Sequence, residues 1–272
     1  MKPNTRSLTQ IGYALNRSSL IDLLSFLLLI AFLTWLIFKG SASMGYRWQW
    51  YRVPGYLISF EDGKRVLGPL LQGLMTTFRI TAFSLILTLI FGLLSALMRL
   101  SDSFVARIVA RGYIELIRNT PLLVQIFFIY FVIAPVLGIG RFTSAVLALS
   151  LFEGAYVSEI FRAGIVSIHK GQWEAAYSLG LGTFHAYRHV VLPQAIRRVL
   201  PPLTSQVISL IKDSALVSTI AIYELTMAGQ AIVSDTFLTF EIWFTIAAIY
   251  LVITISLSFL VNVMETRIKV TR

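Results

Sequence analysis

Glu153 is the side chain that most needs a chemical reason. It stands about eleven residues into the apolar stretch 142–165, which at 1.5 Å per helical residue places it near the middle of a bilayer. An ionised carboxylate at that depth costs roughly 2.5–3.5 kcal/mol on insertion scales, and such groups face a bundle interior or an aqueous cavity. Transported solutes are held at this level. The carboxylate suits an α-ammonium group or a cationic side chain, or else a structural hydrogen bond to a neighbouring helix. Glu159 and Arg162 lie three apart and pair on one helix face, as a structural ion pair or an inner gate. Lys212 and Asp213 are adjacent, so they point in different directions, toward other helices or the inner mouth of a pathway.

Other chemistries find little support. A phosphate-cradling loop needs G-x-x-x-x-G-K followed by Ser or Thr, and Gly63-Lys64 is followed by Arg65. His185 and His189 have the i,i+4 spacing of a zinc pair, yet neither an H-E-x-x-H order nor a cysteine accompanies them. They read as solvated or partner-facing residues, and no metal site is expected. No nucleophile, base and orienting group fall together, so no catalytic residues are expected.

These side chains require a membrane-embedded frame. The 272 residues are 57% hydrophobic and 13% charged, with mean hydropathy +0.78, where a soluble domain is about 25% charged. The formal charge of +10 is spread over the ends of apolar runs, so it reports topology rather than nucleic acid. A bilayer core about 30 Å thick takes roughly 20 apolar residues as helix. Six segments fit or nearly so: 20–38, 73–98, 113–137, 142–165, 203–223 and 242–264. The expected fold is an all-α integral membrane protein with six transmembrane helices. Lys and Arg crowd the ends that are cytoplasmic when the N-terminus is inside, and parity then puts both termini in the cytoplasm. The chain divides into a cytoplasmic segment 1–19, a retained anchor 20–38, an external loop 39–68 and a membrane domain 69–268. The external loop carries Tyr46, Trp48, Trp50, Tyr51 and Tyr56. It reads as an interfacial segment at the headgroups or as a contact for an external partner.

The polar stretch 167–200 interrupts this apolar pattern. Glu174-Ala175-Ala176 is followed at fixed distances by Gly180, Val190 and Leu192-Pro193. The two small side chains allow another surface to approach, Gly180 permits a tight bend, and Pro193 is expected to end the helix. Gln172 and Trp173 are expected at the rim of the contact. This spacing resembles the cytoplasmic EAA loop of permease subunits of bacterial ATP-driven importers, with Val190 where the family has Ile. Further runs carry the resemblance: Arg118 to Gln125, Gly154-Ala155-Tyr156 with Glu159 and Arg162, Lys170 to Glu174, Val191 to Ala195, Lys212 to Leu216, and Glu224-Leu225. Together they cover about 70–268 and are similar to the histidine/glutamine-type permeases for polar amino acids.

The resemblance implies a five-helix type I importer core behind the added anchor, in the bacterial inner membrane. It implies a coupling loop (Gln172, Trp173, Glu174, Ala175, Ala176, Gly180, Leu192, Pro193) seated on an ATP-binding subunit dimer. It also implies a second permease subunit, identical or homologous, and a periplasmic or extracellular amino-acid-binding protein. ATP and Mg2+ belong to the ATPase, and this chain holds no cofactor of its own. Glu153, Tyr156, Gln125 and Asp213 are the candidates for the substrate pathway. An importer for another small solute and a self-powered secondary transporter are the alternatives, the latter because Glu153 and Asp213 could hold a coupling ion.

Overall fold

The computed structural model describes residues 17–43, 45–61 and 63–269. Most of the segment 1–19, with Lys2 and Arg6, and the terminal Arg272 lie outside them. The chain forms two units, Met1–Trp48 and Gln49–Arg272. The first holds helix α1 (Arg17–Ser43), whose apolar part Ile21–Gly40 is long enough to cross a membrane.

The second unit begins with a 3-10 turn, Trp50–Arg52, and helix α2 (Val53–Leu57). A two-stranded antiparallel hairpin follows, β1 (Ile58–Glu61) and β2 (Lys64–Leu67), with Phe60 opposite Arg65. Gly63, at φ +74, supplies the left-handed residue of its turn. The segment 39–68, read from the sequence as an external loop, was not expected to contain strands. It is also fastened down. The Gln49 amide donates to Glu241 Oε1 at 2.6 Å, Val53 is buried, and Tyr56 and Leu57 pack on Leu70, Leu225 and Ile242.

Three long helices match expected spans in position: α3 (Pro69–Leu100), α7 (Arg141–Val166) and α12 (Thr239–Lys269). With α1, four helices are long and apolar enough to cross a membrane, and six spans result if each of two bent pairs counts as one. The stretch 113–137, expected as one helix, is broken. Helix α4 (Phe104–Arg118) meets α5 (Leu122–Phe127), a π-turn (Phe128–Ile133) and α6 (Ala134–Leu137) at a bend of 108°. Pro121 causes the break, since it lacks an N–H and disfavours helical geometry in Thr120. The stretch 203–223 is interrupted too. Helix α10 (Leu192–Asp213) tightens into a 3-10 turn, Ser214–Ile220, and α11 (Leu225–Thr236) leaves at 48°.

The main helix pair is α3 with α7. Along α3 the buried residues Gly73, Thr77, Thr81, Ser84, Thr88, Gly92 and Ser95 recur at three- and four-residue steps, a stripe of small side chains whose first members, Gly73 and Thr77, meet Glu224 and α11 while Ser84 and Gly92 meet α7. Helix α7 answers with Ala145, Ala148, Gly154, Ala155 and Ser158, all buried. The backbones come so close that a Cβ on Gly92 would lie 2.6 Å from Val157 Cγ1. Ser150 Oγ donates across the seam to the Ser84 carbonyl at 3.3 Å.

Candidate functional site

Two places unite the singled-out residues. The first is the interior between α3, α7 and α10. Glu153 is 1% exposed, set on the face of α7 that meets those helices. Its Oε2 accepts a hydrogen bond from Gln206 Nε2 on α10. Among the described residues its Oε1 has no hydrogen-bond partner, and neither has Thr88 Oγ1 on α3. Both residues line a cavity of about 140 Å3, with Leu85, Leu203, Gln206 and Leu210. Asp213, two turns beyond Gln206 on α10, lies near enough to interact electrostatically with Glu153, and Lys212 acts on both acids. An apolar chamber lined by one carboxyl, an amide and the hydroxyls of Thr88 and Thr204, with a second carboxyl nearby, has acceptors to offer a cationic nitrogen, and an orphaned buried oxygen costs about 1–3 kcal/mol until something satisfies it.

Of the four pathway candidates the structure joins Glu153 to Asp213 and puts the other two elsewhere. Gln125 works at the bend, where Nε2 lies 2.8 Å from the Ile117 carbonyl and 2.7 Å from Thr120 Oγ1. Tyr156 lies beneath the Arg118 guanidinium, 5.2 Å from its ring centre, and against Phe152. Sequence reading overlooked Thr88 and Gln206. Gln206 carried a signal, since seven residues before Asp213 is two helical turns on the same face.

Glu159 and Arg162 do pair, with Arg162 Nε 3.0 Å from Glu159 Oε2. Arg99 on α3 joins them by an ion pair to the other carboxylate oxygen. The expected two-residue pair is therefore a three-residue clasp between α3 and α7.

The second place is the segment between α7 and α10. Helix α8 (Lys170–Ser178) is capped by His169, whose Nδ1 accepts from the Gly171 amide at 3.1 Å. Gly180 closes it at φ +75, and the Leu181 amide reaches the Ala176 carbonyl at 3.1 Å, a left-handed C-terminal cap. Helix α9 (Thr183–Ala186) then runs through a π-turn, Tyr187–Val191, directly into α10. Pro193 therefore does not end a helix. It sits in the first turn of α10, where the widened turn before it absorbs the missing N–H.

Three residues expected at the contact are also tied within the segment. Trp173 is half-buried, edge-on to Tyr187 at 4.7 Å and packed near Ile168 and Val191, so it staples the segment to itself. Gln172 accepts from Gln194 at 3.0 Å. Ala176 is buried, leaving Glu174 and Ala175 as the exposed part of the triplet. The surface instead presents Leu179, 81% exposed, and Phe184, 68% exposed, beside Tyr177. Nothing in the sequence reading had marked these two, although a Leu and a Phe flanking two glycines in a polar stretch are conspicuous. The His185 and His189 rings stack at 5.8 Å.

Comparison with known proteins gives these features a setting. Residues 88–270 match the family described as binding-protein-dependent transport system inner membrane component. The glutamine transport system permease protein of Escherichia coli (strain K12) is 42% identical over 204 residues, covering 74% of this chain and 93% of that protein. The nopaline transport system permease protein of Agrobacterium fabrum (strain C58) is 41% identical over 207 residues, covering 72% and 86%. The crystal structure of an amino acid ABC transporter with histidines superposes with a TM-score of 0.69 at 42% identity, over 73% of this chain and 94% of that one. The methionine ABC transporter MetNI, inward facing, gives a TM-score of 0.64 at 16% identity over 74% and 96%, a likeness of fold alone.

Proposed function

This chain belongs to the family of binding-protein-dependent transport system inner membrane components, and from that premise we propose that it is the permease subunit of an ATP-driven importer of polar amino acids. Relatives named for glutamine and nopaline transport, and a similar amino acid ABC transporter, support that substrate class. In this reading the chain crosses the bacterial inner membrane six times with both termini in the cytoplasm. It pairs with a second permease and receives solute from an external binding protein. Two ATP-hydrolysing subunits, which carry the ATP and Mg2+, seat on the two coupling segments. Closure of the ATPase pair draws those segments together and opens the pathway outward, and hydrolysis resets it.

The observation that carries the coupling role is the exposed apolar patch Tyr177, Leu179 and Phe184 on a polar segment outside the long apolar helices. Apolar side chains so placed mark a protein contact. For the pathway, Glu153, which lines the cavity and whose buried Oε1 accepts no hydrogen bond among the described residues, supports a site for the ammonium or guanidinium of the solute. The protein's own groups bind and orient, and the chain performs no bond-breaking step.

Uptake into proteoliposomes containing the permease, its ATPase and the binding protein tests the whole. Uptake is expected only with ATP inside the compartment that the coupling segments face. Full-rate uptake driven by an ion gradient without the ATPase rejects the reading in favour of a secondary transporter. Replacing Leu179 and Phe184 together by Asp is expected to abolish co-purification of the ATPase while leaving membrane insertion intact. Retained co-purification removes the patch from the interface.

A further inference from the structure

Helix α4 has three faces. Ala110 and Ile114 are buried against the core, and the Tyr113 hydroxyl donates to the Leu151 carbonyl of α7 at 2.6 Å. Phe104, Val105, Ile108, Val109 and Leu116 form an exposed apolar stripe. Between these two faces runs a charged edge of Arg107, Arg111, Glu115 and Arg118, of which Arg107 is tied back to the Ser101 carbonyl at 3.0 Å. The axis of α4 makes an angle of 108° with the α5–α6 run that follows. Where the α5–α6 run crosses the membrane, as the proposed function has it, a helix bent this far from it lies close to the membrane plane. Apolar on one side and cationic along the edge, it has the form of an interfacial helix.

The charged edge does not balance itself. The Arg99 guanidinium feels the charges of Arg162, Arg111 and Arg118, against Glu115, and Glu159 is shared between Arg99 and Arg162. Four guanidinium groups thus meet two carboxylates at the junction of α3, α4 and α7. The surplus is positive, beside apolar side chains that need hydrocarbon. The geometry points to a binding site for an anionic phospholipid, with the headgroup phosphate held by Arg111 and Arg118 and the acyl chains along Phe104, Ile108 and Leu116. Charge complementarity selects the headgroup. The adjoining apolar stripe selects a lipid over a soluble anion. The site is independent of the substrate and the ATPase contact, so it stands or falls apart from the transport reading.

The test uses the assembled transporter in detergent, titrated with phosphatidylglycerol or phosphatidylcholine, with thermal unfolding and native oligomeric state as readouts. Wild type is expected to be stabilised at lower phosphatidylglycerol than phosphatidylcholine concentration, by roughly five-fold per arginine engaged. R111Q with R118Q erases that preference, and the double lysine variant restores most of it. Equal response to both lipids in wild type overturns the proposal, as does a full preference surviving in the double glutamine variant. Stabilisation by sodium phosphate at matched concentration assigns the edge to a free anion instead. Dissociation of the transporter into smaller species in the glutamine variant assigns it to a subunit interface, which also rejects the lipid.

Discussion

Glu153 and Glu224 are equally buried and oppositely provided for. Glu224, fully buried, caps α11 by accepting the Met227 amide at 2.8 Å and the Thr226 amide at 2.9 Å. It also accepts the Tyr250 hydroxyl of α12 at 3.2 Å and lies 3.5 Å from Thr77 Oγ1 of α3. Glu153 has Gln206 on one oxygen, an acid neighbour, and no hydrogen-bond donor among the described residues on the other. The contrast separates two reasons for keeping a carboxylate inside an apolar bundle. Glu224 joins three helices and leaves a ligand nothing to bind. Glu153 holds one acceptor in reserve.

The contrast can be broken by substitution. The largest expected effect is that of Glu224→Ala, which removes the cap and leaves the Tyr250 hydroxyl only its 3.4 Å contact with Thr226 Oγ1. A loss on the order of 3 kcal/mol is expected in detergent unfolding. A loss under about 1 kcal/mol would show that the network is not structural. Next comes Glu153→Gln, for which a stability change within about 1 kcal/mol is expected. Uptake of cationic substrates should fall roughly 10–100-fold as a charge-assisted hydrogen bond is lost. Equal uptake of cationic and neutral amino acids before and after the change removes Glu153 from the pathway. The threonines sharpen the comparison at the smallest scale. Thr77→Val takes away a hydroxyl that accepts the Leu225 amide at 3.2 Å and should cost about 1–2 kcal/mol. Thr88→Val removes a hydroxyl without a partner and should leave stability within about 0.5 kcal/mol or raise it. Matching losses for the two valines would dissolve the distinction between the sites.

The long helices α3, α7 and α12 were legible because twenty or more apolar residues have few other uses. Their breaks were not. Hydropathy averages over a window, so the turn at Asn119–Pro121 disappears between two apolar flanks, although Pro121 itself announces it. The depth of Glu153 followed from counting residues, whereas its partner Gln206 and the empty side of the carboxylate depend on how α10 rotates against α7. In the segment between α7 and α10 Gly180 behaves as its type dictates. Pro193 does not, because the cost of a proline depends on whether the preceding turn is α or π, which composition does not encode. The hairpin at 58–67 leaves little trace in the sequence beyond the dipeptide Asp62-Gly63, since only Ile58–Glu61 alternates and Lys64–Leu67 does not.

The seam of small residues between α3 and α7 has a mechanical consequence. Two helices whose backbones approach this closely, stitched by Ser150 near the middle and clasped by Arg99 and Glu159 at one end, travel as a single beam rather than sliding past each other. Helix α8 starts four residues after that beam ends. Under the proposed function, a force applied at the exposed Leu179 and Phe184 is delivered to a stiff lever with Glu153 riding partway along it, so that the proposed solute site and the proposed ATPase contact move in step.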